Sequence, residues 1–193
     1  MATTSVASKG PSEMRSSAGR ILRSRTTTLL LIDLAVAVFL AIAQPRFLDP
    51  ENLMSLVMGM TYDLLMAMGM TLILILGGID LSVGSVLGLT GVVVTMLLSN
   101  HIMPVPVPVP LAILAGMVVA GLCGAFNGFG VAKLKIAPFI VTLSMFAIAR
   151  GLATVLTSGW YVSGLPDSYI VIGQGAFLGI PFPVIITLSI LVV

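Results

Sequence analysis

Charge is what this chain has least of. Only 8% of its 193 residues are Asp, Glu, Lys or Arg, against about 25% in soluble domains. None of these occurs from position 81 to position 132. At about 20 residues per bilayer crossing, that interval accommodates two helices and a turn. Cysteine occurs once, at Cys123, and histidine once, at His101. A single cysteine excludes an intrachain disulfide, and this scarcity argues against a cysteine-based metal site or a histidine-based triad. No nucleophile and base stand at a recognisable spacing, so the chain does not read as an enzyme and no cofactor or metal is expected. A net charge of +2 is too small to point to a nucleic-acid partner.

What is present is apolar. Hydrophobic residues make up 58% of the chain and the mean hydropathy is +1.18. The apolar runs are continuous, whereas barrel strands would alternate in segments of about 10 residues. The fold class expected is all-α: a polytopic helical integral membrane protein with five full spans and the start of a sixth. The spans are placed at 27–43, 53–76, 83–98, 111–131 and 138–156, with the sixth beginning at 184–193. Residues 1–26 form a basic tail expected to be disordered, and 27–193 a single transmembrane domain. The first span competes with a secretory signal peptide, because Ala41, Ile42 and Ala43 resemble a cleavage site. Asp33 within the span and the long basic lead argue against cleavage.

Proline and glycine mark the turns. Pro45 and Pro50 bracket the first, and Pro104, Pro106, Pro108 and Pro110 alternate with valine in the third. That alternation favours a stiff, extended connection. Residues 157–183 read as a longer polar, glycine-containing connection. Five of the nine basic residues lie in the first 25 positions, and Lys133 and Lys135 lie between the fourth and fifth spans. The positive-inside rule then puts the N-terminus and the Lys133 turn in the cytoplasm, with the turns near Pro45, Pro104 and Trp160 outside.

Candidate functional residues follow from cost. An ionisable group in an apolar segment is expensive and is a functional hypothesis by default. Asp33, Asp63, Asp80 and Arg150 qualify, and Arg150 could snorkel or pair with Asp63 or Asp80. Asp80 stands out because it lies in Gly77-Gly-Ile-Asp-Leu-Ser-Val-Gly-Ser85, a polar break in an apolar stretch. Breaks at membrane depth survive only where protein or a water-filled cavity covers them, and they often build transport sites. The bland alternative is a tight cytoplasmic turn in which Asp80 or Ser82 caps the helix beginning near Val83. The candidates for a substrate path or its gate are Gly77, Gly78, Asp80, Ser82, Gly84, Asp63, Asn127 and Arg150. In the fourth span Ala112, Gly116, Ala120, Gly124 and Gly128 share one face, for intramolecular packing or a subunit interface. Asn127 beside them needs a hydrogen-bond partner. Six methionines between Met54 and Met70 suit ordinary packing or a path that changes shape.

The segment at Gly77 resembles a signature of the membrane permease subunits of bacterial ribose-type ABC sugar importers, the branch that also serves xylose, galactose and related sugars. Leu134-Lys-Ile-Ala-Pro-Phe-Ile-Val-Thr-Leu143, Ala149-Arg-Gly-Leu152 and Ser163-Gly-Leu-Pro-Asp167 resemble further ones, in the same order. The resemblance covers residues 46–193. It implies a multi-pass protein of the bacterial inner membrane that translocates a ribose-like monosaccharide by alternating access. It implies pairing with a second permease subunit, as a homodimer, a separate cytosolic ABC ATPase that hydrolyses the ATP, and an extracytoplasmic sugar-binding protein. Members of the family are longer, and their later half carries a loop that docks on the ATPase. No matching segment occurs here, so the chain is expected to be the N-terminal portion of such a permease. The alternatives are a secondary transporter with a broken-helix site, for which no inverted repeat is found, and a non-functional or assembly fragment.

Overall fold

The computed structural model describes residues 25–192. The tail expected at 1–26 therefore lies almost wholly outside the described residues. The chain divides into two compact units, one ending at Ser55 and one beginning at Leu56.

The first unit holds α1 (Arg25–Ala43), a short 3-10 turn (Pro45–Leu48) and the opening of α2 (Pro50–Ile75). Proline sets both boundaries. Pro45 has no N–H to extend α1, and Pro50 occupies the first helical position of α2, where that N–H is not needed. The Asn52 amide donates to the Phe47 carbonyl at 2.8 Å and fixes the turn.

The second unit is built on three helices: α3 (Val83–Leu98), α4 (Val109–Ala132) and α5 (Pro138–Thr157). α3 is central and packs against both others. It carries the buried Leu89, Val94 and Leu98, of which Val94 and Leu98 cluster with Ala112 of α4, while Val141, Met145 and Ala149 are buried on α5. Small residues permit the close approach. A Cβ at Gly116 would sit 2.5 Å from Val94 Cγ2, and one at Gly130 3.0 Å from Val141 Cγ1. Intramolecular packing thus accounts for Ala112 and Gly116. At Gly124 and Gly128 a Cβ would meet nothing within 4 Å.

Among the described residues, four helices, α1, α2, α4 and α5, are long and apolar enough to cross a membrane; α3 is shorter at 16 residues. The segment expected to be a plain connection contains α6 (Asp167–Gln174) and a hairpin of β1 (Ala176–Phe177) with β2 (Ile180–Pro181), leading into α7 (Phe182–Val192). Leu178 and Gly179, at φ 52° and 82°, form its two-residue turn, which matches the right-handed twist of paired strands.

The two ends of the three-helix core are tied differently. Beyond the C-terminal end of α3, buried Ser99 donates its hydroxyl to the Ser163 carbonyl at 2.6 Å, and the Asn100 N–H donates to Gly164 at 3.0 Å. His101 Nδ1 lies 3.1 Å from Ser163 Oγ. Gly164, at φ 74°, leaves no room for a side chain against Asn100 and His101. The opposite end holds the Asp80 turn and Pro138, on the Lys133–Lys135 side of α4 and α5.

Candidate functional site at the Asp80 turn

The chain leaves α2 through a glycine-dependent stop. Gly77 takes φ 77°, the Gly77 N–H donates to Leu74 and the Gly78 N–H to Ile73, both at 3.0 Å. These paired bonds satisfy carbonyls that the helix end would otherwise orphan, and the left-handed residue they require is most cheaply glycine. Gly78 is crowded in turn, since a Cβ there would lie 3.3 Å from Ile73 Cγ2.

Asp80 then organises the turn. Its Oδ1 accepts the Ser82 N–H at 2.7 Å and the Ser82 hydroxyl at 2.6 Å. The carboxylate thereby mimics a backbone turn two residues long. Of the two capping candidates, Ser82 is the N-cap residue of α3. Ser82 starts the helix with its carbonyl, bonded to the Val86 N–H at 2.8 Å, but its side chain makes no cap bond. The Ser82 hydroxyl is committed elsewhere: it donates to Asp80 and accepts from Asn127 Nδ2 at 2.9 Å.

That last bond joins α4 to the turn. Asn127 is only 6% exposed and finds the partner its depth demands. From α5, the Thr142 hydroxyl reaches the Ile79 carbonyl at 3.3 Å. Three helices therefore converge on residues 79–82. Thr142 was not singled out by sequence reasoning, although its hydroxyl in an otherwise apolar helix face was a usable signal.

A cavity of about 300 Å³ opens beside the turn, lined by Asp80, Ser82, Val86, Thr90, Gly124 and Asn127, among others. The small residues at the far end of the α4 stripe make this space. Asn127 Oδ1 is buried without a hydrogen-bond partner, as is Ser85 Oγ in the first turn of α3. A buried acceptor left unpaired costs roughly 1–3 kcal/mol. Asp80, Ser82, Thr90 and Asn127 supply the polar groups of a cavity wall that is otherwise apolar. Among the described residues, no group of three or more His, Cys, Asp or Glu is placed to hold a metal ion.

The remaining candidates are not drawn in. Gly84 is exposed, with nothing within 4 Å of a Cβ. Asp63 and Arg150 are exposed on α2 and α5, and neither hydrogen-bonds to the Asp80 turn. The turn itself is made from the loop between two helices, as in the bland reading, yet it borders a cavity as the functional one requires.

Residues 52–193 match the family described as branched-chain amino acid transport system / permease component. The chain is 38% identical over 152 residues to the ribose import permease protein of Bacillus subtilis, covering 78% of this chain and 46% of that protein. It is 33% identical to the L-arabinose ABC transporter permease protein of Azospirillum brasilense, over 81% of this chain and 44% of that one. It is 34% identical to the autoinducer 2 import system permease protein of Escherichia coli O157:H7, over 83% and 45%. The chain spans about half the length of these curated relatives. No solved structure matches it. With the ribose-type resemblance upheld over about four-fifths of its length, the chain belongs to the branched-chain amino acid transport system permease component family.

Proposed function

We propose that this chain acts as the membrane permease subunit of an ATP-driven importer that moves a ribose-like monosaccharide by alternating access. The observation that carries the reading is the cavity bordered by Asp80, Ser82, Thr90 and Asn127, inside the segment that matches the permease family. A monosaccharide is a ring of hydroxyl donors of a size that 300 Å³ admits. Relatives named for ribose and L-arabinose import support the substrate class. In this reading the partners are a second copy of the permease, a cytosolic ABC ATPase and an extracytoplasmic sugar-binding protein. The working location is the bacterial inner membrane, with the N-terminus and Lys133 turn in the cytoplasm. Gly77, Gly78, Asp80, Ser82 and Asn127 shape the substrate path or its gate in this reading.

The test is uptake of ribose, xylose and galactose in cells lacking other importers. The chain is co-expressed with an ABC ATPase and a binding protein, alone and joined to the second half of the Bacillus subtilis relative. ATP-dependent accumulation in the joined arm is expected. Flux driven by protons or sodium without ATP would replace the importer reading with a secondary carrier.

A further inference from the structure

The chain that follows α5 is unusually apolar for a connection. No charged residue occurs from position 151 to position 166. α5 ends at Thr157 with apolar side chains open up to its last turn, Val155 and Leu156 among them. Beyond it Trp160 is 75% exposed and Tyr161 85%. Large rings this open mark a surface that meets a partner.

Their exposure is set by the backbone. Ser158 and Gly159 take φ 52° and 76°, and the Gly159 N–H returns to the Thr154 carbonyl at 2.9 Å, closing the helix. A few residues on, the Ser163 carbonyl accepts the Ser99 hydroxyl at 2.6 Å and the Gly164 carbonyl accepts the Asn100 N–H at 3.0 Å. Trp160, Tyr161 and Val162 bridge these two fixed points. The rings therefore stand on a short arch pinned at both feet.

Position identifies the partner. α5 has 20 residues and rises about 30 Å, the thickness of the hydrocarbon core of a bilayer. Lys133 and Lys135 lie just before its first residue, Pro138, and the aromatic pair lies just after its last. The pair thus falls at the boundary between acyl chains and headgroups, on the side away from the lysines. Tryptophan and tyrosine are enriched at that depth because an apolar ring carries one polar group. Neither the Trp160 indole N–H nor the Tyr161 hydroxyl has a hydrogen-bond partner among the described residues. Both can donate to lipid ester or phosphate oxygens. With no charge on the arch, nothing opposes its burial beside acyl carbons.

We propose that Trp160 and Tyr161 form a lipid anchor, seated at the acyl–headgroup boundary of the leaflet opposite Lys133 and Lys135. α5 is then held at both ends, by ammonium groups at one boundary and aromatic rings at the other. The anchor also serves α3. At 16 residues that helix is shorter than the hydrocarbon core is thick, and the Ser99–Ser163 bond hangs its end from the anchored arch.

Trp160 is the only tryptophan in the chain, so its fluorescence reports the anchor without mutation. The full chain is reconstituted in phosphatidylcholine vesicles, alone and joined to the second half of the Bacillus subtilis relative, with any tryptophan of that half replaced by phenylalanine. Lipid brominated near the glycerol end should quench Trp160 about 2-fold more than lipid brominated near the methyl end, and iodide about 2-fold less than it quenches a free tryptophan amide. Trp160→Phe with Phe146→Trp moves the reporter to the middle of α5, where the order of the two lipids should reverse. Trp160→Phe with Tyr161→Trp should keep the wild-type order. Equal profiles for positions 146 and 160, or a stronger response of Trp160 to the methyl-end lipid, overturn the placement. Iodide quenching equal to that of the free amide, with no response to either lipid, overturns the anchor and gives the arch to an aqueous partner. Lipid quenching present in the chain alone but lost in the joined protein also overturns it, because the later helices then cover the rings.

Discussion

Asp80 holds its turn with one oxygen. Oδ1 receives both Ser82 bonds, and the residue lines the cavity. Asp80→Asn preserves the shape and an acceptor, and replaces charge-assisted bonds with neutral ones. The difference is about 1 kcal/mol, too little to unfold the helix pair. Membrane abundance is therefore expected to stay near wild type while sugar uptake by the joined permease falls about 10-fold or more. Normal uptake at normal abundance would make Asp80 a turn residue only. Asp80 was legible because a carboxylate amid apolar residues announces its cost. The need of Asn127 for a partner was legible too. Its identity was not, because Ser82 lies 45 positions away and no local pattern encodes that meeting. Asp63 and Arg150 were equally conspicuous in sequence, yet their exposure on separate helices gives them no share in the turn.

At the scale of elements, the α3–α4 contact is set by what is missing at Gly116. Gly116→Ala would push a methyl to 2.5 Å from Val94 Cγ2, and overpacking of this kind costs about 1–3 kcal/mol. Gly124→Ala, facing open space, should cost little. Unfolding in mixed detergent micelles can compare them, and Val94→Ala should relieve the first variant but not the second. The docking of α6 adds a pH dependence. Burial, with the neighbouring Tyr62 second, pushes the Tyr169 phenol above its ordinary 10.0. The unfolded chain then releases that proton first, so the Tyr169 contribution to stability is complete below pH 10 and is lost as pH rises through the folded value. Trp160 fluorescence during alkaline titration should report this loss in wild type and a smaller one in Tyr169→Phe. Sequence reading placed α3 at its observed bounds because Asp80 and Ser82 before it and Ser99 and Asn100 after it are polar punctuation. It missed α6 and the hairpin because Leu178-Gly179 lacks the asparagine that advertises such a turn.

For the molecule as a whole, membrane character was legible from the scarcity of charge, and helical class from the continuity of the apolar runs. Crossing number was less so, since α3 rises only about 24 Å and a hydrocarbon core is about 30 Å. The ties at the two ends make topology testable. Ser99, His101 and Ser163 share one end, and Lys133 lies at the other. In intact cells carrying Cys123→Ala, an impermeant thiol reagent should label His101→Cys and spare Lys133→Cys. The reverse pattern would invert the orientation.

The Ser99 bond also has a meaning in time. Its partner lies 64 residues downstream, while Ser82 meets Asn127 after 45. At roughly 5–20 residues per second of synthesis, Ser163 follows Ser99 by about 3–13 s. During that interval the α3–α4 pair must wait in the translocation machinery with a hydroxyl that the finished protein seals completely. The Asp80 end can close first, and the Ser99 end last. Nascent chains halted with residue 150 exposed should already form a Ser82→Cys to Asn127→Cys crosslink. A Ser99→Cys to Ser163→Cys crosslink should appear only once residue 163 has emerged, making that end the late checkpoint of biogenesis.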